Sequence, residues 1–387
     1  MTGRPQYPAN REAVFLAAAV RRFLDKDIPP PDPEKIDPEQ TLRLAVAHAV
    51  VPMVYDTVRE AAPDHRLALM LRPAFENDAR FSLALAGELR TIGRLLAEHE
   101  VAFVSLKGPL LSQRLYGDPA VRSPGDVDLL LHPGDIIGAR DLLIAHDYRI
   151  ASPLHWSGDA ACLKSRECEL LMVHRERQLA IDLHWRILPR YFPSAFDRIE
   201  VWNHLVSIAM FGERLPDLAP EHLLLFLCAH ASKHAFERLS WICDIARCLR
   251  VLKLDWPAVI SAAAASGTTR QLLTGMKVAA DLLGAPLPSG LPADDAADRL
   301  AAVAIARLLG ARPLPVAEAE LIPFCLKMFP SPRHRARYLL GHLSPSDAEY
   351  AAVQIPPALH FLYYPLRPLR LASRFVVRRS GRRALPG

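Results

Sequence analysis

No two cysteines in this chain stand in a C-x-x-C pair. Cys162, Cys168, Cys228, Cys243, Cys248 and Cys325 are scattered through 387 residues, which argues against a disulfide scaffold and against a zinc ribbon. No apolar stretch reaches the roughly 18 residues that a membrane span needs. The N-terminal segment, interrupted by Arg11, Arg21 and Arg22, lacks a signal-peptide layout. The expectation is a cytoplasmic protein with no transmembrane segment. There is no persuasive internal repeat and no heptad run. No aromatic-basic stripe or familiar nucleic-acid module argues for a nucleic-acid template. Acids are missing from one region: after Glu349 there is none, while Arg367, Arg370, Arg374, Arg378, Arg379, Arg382 and Arg383 accumulate. This basic C-terminal segment, 351–387, reads as a solvated end or as a contact for an anionic partner.

What is present suits a globular protein of two or three domains. Helical patterning covers 11–24, 39–60 and 65–99, the last bent or broken near Pro73, so 1–99 reads as an N-terminal helical region. From residue 101 the period shortens. Strands are expected at 101–106, 127–131, 148–151, 160–164, 169–173 and 180–185, with short helices at 110–116 and 136–146. These make 100–192 a compact mixed α/β core. Beyond Pro193 the pattern is helical almost throughout, at 196–210, 220–236, 238–252, 255–265, 267–283 and 295–309, so 193–350 reads as a helical domain. The fold class is α+β: a small mixed sheet flanked by N-terminal helices and a larger C-terminal helical region.

The chemistry concentrates in Leu106-Lys107-Gly108-Pro109 and in the run from Arg122 to Leu131, where Asp126 and Asp128 open an apolar stretch. Side chains alternate along a strand, so these two carboxylates project from one face while Val127 and Leu129 pack into the other. Like charges that close are costly unless a cation or protons intervene. Asp182, in Ala180-Ile181-Asp182-Leu183-His184-Trp185, is the natural third acid, and His184 points to its side. Three hard oxygen ligands suit Mg²⁺ or Mn²⁺. The bland alternative makes the D-x-D pair a strand-end surface feature. Lys107 and Arg122 are candidate phosphate ligands beside Gly108, which lets backbone approach closely. Lys107 could equally cap the strand edge, and Arg122 could hold the loop through Asp118 or Asp126. His184 orients Asp182, contacts the nucleotide substrate, or is a packed or hydrogen-bonded structural histidine, and Trp185 belongs to the core. In the helical region His230, Lys233 and His234, with Trp241 and Asp244, read as a hydrogen-bonded interhelical cluster near the cleft; H-x-x-x-H without a glutamate is weak evidence for zinc.

The order Leu106-Lys107-Gly108, Tyr116-Gly117-Asp118-Pro119, Arg122 to Asp126-Val127-Asp128, and Ile181-Asp182-Leu183-His184-Trp185 resembles the uncharacterised bacterial nucleotidyltransferase family of the DNA polymerase β-like superfamily. The resemblance is strongest over about 100–190 and extends loosely to about 250. It implies that Asp126, Asp128 and Asp182 are the catalytic and metal-binding acids and that Gly108 approaches the triphosphate. It further implies that His230, Lys233, His234 and Asp244 contribute to an acceptor or nucleotide pocket. Pro109 stands where the superfamily usually has Ser or Gly, and the interval from Gly108 to Asp126 is longer than usual. The implied activity is Mg²⁺-dependent transfer of a nucleoside monophosphate from an NTP, most simply ATP. The acceptor would be a hydroxyl of a small molecule, peptide or protein, and pyrophosphate would leave. The rivals are a nucleotide- or partner-binding protein on the same scaffold without turnover, and a metal-dependent phosphohydrolase.

Overall fold

The computed structural model describes residues 9–123, 125–151, 168–310, 314–344, 353 and 355–367. The strand expected at 160–164 lies outside the described residues, and so does the basic C-terminal segment beyond Arg367. The N-terminal helices start where capping side chains stand. Asn10 accepts from the Ala13 N–H at the start of α1 (Arg11–Leu24), and Asp37 accepts from Glu39 and Gln40 at the start of α2 (Pro38–Ala47). The single helix expected over 39–60 is two, because Ala49 adopts φ 53° and separates α2 from α3 (Val51–Ala61). By contrast α4 (Arg66–Glu98) runs 33 residues through Pro73. The carbonyl that Pro73 leaves without a donor belongs to Leu69, which is 60% exposed, so water can satisfy it.

The strands are β1 (Phe103–Ser105), β2 (Val127–Leu131), β3 (Tyr148–Ile150), β4 (Glu169–His174), β5 (Ala180–His184), β6 (Val206–Met210) and β7 (Glu213–Asp217). They form one mixed sheet in the order β3-β4-β5-β2-β1-β7-β6. Two short helices, α5 (Gly108–Tyr116) and α6 (Ile136–Ala145), lie where the sequence places them. The helix expected at 196–210 is absent. In its place are two 3₁₀ turns, Phe196–Ile199 and Val201–His204, and then β6, joined to β7 as a hairpin. Val206, Ile208 and Met210 alternate with the exposed Ser207 and Ala209, a period of two, and Phe211 and Gly212 supply the positive φ angles of a tight hairpin turn. Through β7, which runs parallel to β1 with Ser105 opposite Asp217, the sheet takes two strands from beyond residue 192.

The sheet has a core on each face. Val127, Leu129, Leu131, Ile181 and Leu183 pack with Leu85, Leu89, Ile92 and Leu96 of α4 and with Ile136, Ala139 and Leu143 of α6. Val104, Leu106 and Leu130, on the other face, join a larger core. That core is built from α7 (Pro220–Lys233), α8 (Leu239–Val251), α9 (Trp256–Ser266), α10 (Thr269–Leu283), α11 (Asp295–Leu309), α12 (Glu318–Met328) and α13 (Pro332–Leu343). The N-terminal helices therefore divide their work. The second half of α4 covers the sheet, whereas Leu16, Val20, Met53 and Val54 of α1 and α3 pack into the larger helical core. Asp128 alternates with Leu129 along β2 and so faces the helical side. The same is true of Asp182 and His184 on β5.

Candidate active site

β1 ends at Ser105, and the Leu106 N–H still bonds the Asp128 carbonyl at 3.0 Å, so the pairing of β1 with β2 persists to the brink of the turn. Gly108 then takes φ +73°, and a Cβ there would stand 3.1 Å from the Asp126 carbonyl oxygen. Only glycine meets both demands, a left-handed backbone and close passage over β2. Pro109 falls within the first two positions of α5, where its missing N–H costs nothing. No side chain caps this helix, so its N-terminal amides and the positive end of its dipole are directed at the turn beside the acids.

The acids converge through strand register. β2 and β5 are parallel, with Asp128 directly opposite Asp182. One ligand atom from each of Asp128, Asp182 and His184 lies within 4.8 Å of the others. Lys107 Nζ is 3.1 Å from Asp128 Oδ1, and His184 Nε2 is 3.0 Å from the same oxygen. Asp128 Oδ2 is buried and has no hydrogen-bond partner among the described residues. Burial alone would raise the Asp128 carboxyl, but Lys107 and His184 overcome it and hold the group below its ordinary range. Asp126 moves the other way: the charge of Asp128, with burial behind it, pushes Asp126 up to about 7. Burial pushes Asp182 up to about 6. The result is a cluster of carboxylates that, without an added cation, retains protons near neutrality.

His184 engages Asp128, not Asp182, because residues two apart on β5 point the same way and the imidazole reaches across to β2. Its other nitrogen, Nδ1, faces Glu169 Oε2 at 3.4 Å. Trp185 is buried against the α4 side, as its alternation predicts. Glu169 and its neighbour Cys168 are members of the cluster that sequence reasoning missed. The available signal was an acid opening the apolar run Leu170-Leu171-Met172 on a neighbouring strand.

Arg122 is buried and turned inward. Its Nε lies 2.8 Å from Asp244 Oδ1 on α8, and its Nη1 donates to the Gly108 carbonyl at 3.2 Å. Its ion-pair partner is therefore neither Asp118 nor Asp126. Tyr116 also donates to Asp244, at 3.3 Å. The Arg122 backbone is fixed as well, its carbonyl accepting from the Ser82 hydroxyl at 3.0 Å. Asp244 thus ties α8 to the turn that carries Gly108.

His230 and His234, with ring centroids 5.3 Å apart, meet Trp241 of α8 at 5.2 and 5.1 Å. Burial, aided by the charges of Lys107, His234, Lys233 and His184, drives His230 well below its ordinary value. Burial likewise lowers His234, with Lys233 and Lys107 contributing. The C-terminal end of α7 therefore stands in the field of Lys107 and His184. Asp244, expected within this histidine cluster, is committed instead to Arg122.

No curated protein matches the chain. A solved structure with some likeness is that of an antigenic nucleotidyltransferase-like protein from Paracoccidioides brasiliensis. It is 13% identical, with a TM-score of 0.31, over 55% of this chain and 95% of that one. The sequence description of uncharacterised nucleotidyltransferases matches residues 34–284, a span that holds both the acidic cluster and α7 to α10. On that match over more than half its length, the chain belongs to the uncharacterised nucleotidyltransferase family.

Proposed function

We propose that this chain is a metal-dependent nucleotidyltransferase that moves a nucleoside monophosphate from an NTP, most simply ATP, to an acceptor hydroxyl and releases pyrophosphate. The observation that carries the reading is the placement of Asp128 opposite Asp182, with Asp126 beside them, across from the N-terminus of α5. The fit to a hard divalent cation rests on this site alone. Asp128 Oδ2 is buried without a partner, and Asp126 and Asp182 are held above their ordinary values by repulsion and burial, a strain that a cation relieves. Asp126, Asp128 and Asp182 would hold the ion. Bound there, Mg²⁺ or Mn²⁺ supplies a Lewis acid that offsets charge on the transferring phosphorus and lowers the pKa of the acceptor hydroxyl.

The remaining roles fall to the chain's own groups. The N-terminal amides of α5 and the Gly108 backbone cradle phosphate oxygens. Lys107 contributes a cation that holds the leaving pyrophosphate. Arg122 acts through the turn: bonded to the Gly108 carbonyl and to Asp244, it keeps the glycine in its left-handed conformation. As the acceptor oxygen bonds to the α-phosphorus, the bond from that phosphorus to the bridging oxygen breaks. A carboxylate of the cluster takes the hydroxyl proton, directly or through the metal-bound environment. His230, Lys233 and His234 line the acceptor side of the cleft. The test is a mass-spectrometric acceptor screen with each NTP and Mg²⁺, coupled to pyrophosphate detection and run beside an Asp126→Ala/Asp128→Ala variant. A nucleotide adduct that disappears in the variant supports the reading. Tight NTP binding with neither adduct nor pyrophosphate across the screen supports a binding protein instead, and phosphate release without an adduct supports a hydrolase.

A further inference from the structure

We infer that Cys168, Glu169 and His184 form a second cation site, for a thiophilic divalent ion of the zinc class, joined to the acidic cluster through the His184 ring. One ligand atom from each of the three lies within 4.8 Å of the others. Glu169 Oε2 is 3.7 Å from Cys168 Sγ and 3.4 Å from His184 Nδ1. That nitrogen is sealed from solvent and makes no hydrogen bond of ordinary geometry among the described residues. A buried ring nitrogen that faces a carboxylate and a thiol, on a side chain only 5% exposed, is placed as a metal ligand would be. Cys168 is buried too, at 2% exposure. The Glu169 side chain, 40% exposed, leaves a way in. Strand register builds the arrangement. β4 and β5 are antiparallel with Glu169 opposite His184, and the Trp185 N–H bonds the Cys168 carbonyl at 3.0 Å.

Thiolate, imidazole and carboxylate together suit Zn²⁺ and suit Mg²⁺ poorly. Three protein ligands leave a fourth position for water. Binding releases the thiol proton and any proton on Nδ1 to solvent, with no change of oxidation state. Nε2 then carries the ring N–H and donates it to Asp128 Oδ1 at 3.0 Å, the carboxylate–histidine–metal arrangement that fixes a ring in one tautomer. Lys233, whose charge acts on both Glu169 and Cys168, is the opposing group an incoming cation must overcome. Asp128 would thus serve two ions, as a ligand to the hard one and as the hydrogen-bond partner of the ring that holds the soft one.

Titration of the full-length protein with Co²⁺ tests the site, and it needs neither nucleotide nor turnover, so it stands apart from the transferase reading. The expected result is a thiolate-to-cobalt charge-transfer band that one equivalent of Zn²⁺ removes and excess Mg²⁺ leaves. Cys168→Ser should abolish the band. Asp128→Asn should keep it while weakening Co²⁺ binding about 10–100-fold. Glu169→Gln, at a partly exposed side chain, should weaken binding at least tenfold and serves if Cys168→Ser fails to fold by circular dichroism. No band in the wild-type protein, or a band that survives in folded Cys168→Ser, overturns the inference, as does Co²⁺ affinity unchanged by Glu169→Gln.

Discussion

Lys107 Nζ stands 3.1 Å from Asp128 Oδ1, so the cation read as a phosphate ligand is paired with the central acid of the cluster. A divalent ion at Asp128 and the Lys107 ammonium compete for the same carboxylate charge. On the proposed reading, a bound metal and triphosphate would release the lysine toward the phosphates. Replacing Lys107 by Met should therefore affect two measurements in opposite directions. Turnover, followed as pyrophosphate release, should fall about 10²–10³-fold, the usual loss for a group that stabilises developing charge. Mg²⁺ affinity, followed by calorimetry, should hold or improve. Equal losses in both would mean that Lys107 holds the fold of the site and not the substrate.

On the proposed reading, the raised carboxyls would set the pH dependence of metal binding. Asp126, pushed up to about 7, and Asp182, pushed up to about 6, both keep protons that a cation must displace. The metal-free folded state binds these protons more tightly than the unfolded chain, whose aspartates titrate near their ordinary value. Their contribution to stability is therefore present at low pH and lost as pH rises through about 6 and then about 7. An ion reverses that loss, so Mg²⁺ affinity should rise about tenfold or more between pH 5.5 and 7.5, with protons released on binding. Calorimetry in buffers of different ionisation enthalpy measures both quantities. An affinity flat with pH would rule out this electrostatic account.

Arg122 and Asp244 make a buried ion pair between the loop before β2 and helix α8, 122 residues apart in sequence. Removing one partner leaves the other charged and dry. Asp244→Ala should cost about 3–5 kcal/mol in urea denaturation. An Arg122→Met/Asp244→Leu double variant should recover much of that stability, since both desolvation penalties vanish together. The rescued fold should nevertheless turn over poorly, because the Gly108 carbonyl has lost its guanidinium donor. Full activity in the double variant would remove Arg122 from any positioning role.

Gly108→Ala tests the turn itself. A left-handed φ costs a residue bearing a Cβ roughly 1–2 kcal/mol, and the new methyl would sit 3.1 Å from the Asp126 carbonyl oxygen. The backbone of β2 would have to give way at the residue before Val127. A fall in thermal stability together with weakened NTP binding is expected. A variant that binds NTP as the native protein does would show that the glycine serves only the chain path.

These relationships were unequally legible in the sequence. Asp126 and Asp128 stand out because charges are rare at the mouth of an apolar strand, and Asp182 because it sits in another such strand. Their pairing was not legible. That Asp128 lies opposite Asp182 depends on β5 crossing to lie parallel to β2, a non-local choice that no local periodicity encodes. For the same reason Asp118 and Asp126, near Arg122 in sequence, looked like its partners when the actual one lies on α8. His184 was placed on the correct face, with orienting Asp182 as only one of its readings; the bond it makes is to Asp128, since acids on both strands were within its reach. The misread stretch at 196–210 had a physical cause as well. Val206, Ile208 and Met210 carry a period of two over only five residues, too short to stand out within a long helical region, and the hairpin joins the sheet through the distant pair Ser105 and Asp217. Glu169 was overlooked because an isolated acid at a strand end is ordinarily a solvated one, and only the antiparallel register brings it to His184.

Asp126→Asn separates function from stability at one residue. In the metal-free protein the Asp126 charge is repelled chiefly by Asp128, so an amide of the same shape removes a repulsion and leaves the pairing of Asp128 with Lys107 and His184 in place. Because the folded-state carboxyl sits near 7 and the unfolded one near its ordinary value, the penalty is fully expressed only above about pH 7 and fades toward pH 4. The variant should therefore be more stable than the native protein at pH 8, by on the order of 1–3 kcal/mol. The advantage should shrink as the pH is lowered to 5. Mg²⁺ should stabilise the native protein more than the variant, and pyrophosphate release should be lost. A variant that is less stable at pH 8 would show that Asp126 makes a supporting contact in the folded protein, whereas a more stable but inactive one marks an acid kept for its charge at a cost to the fold.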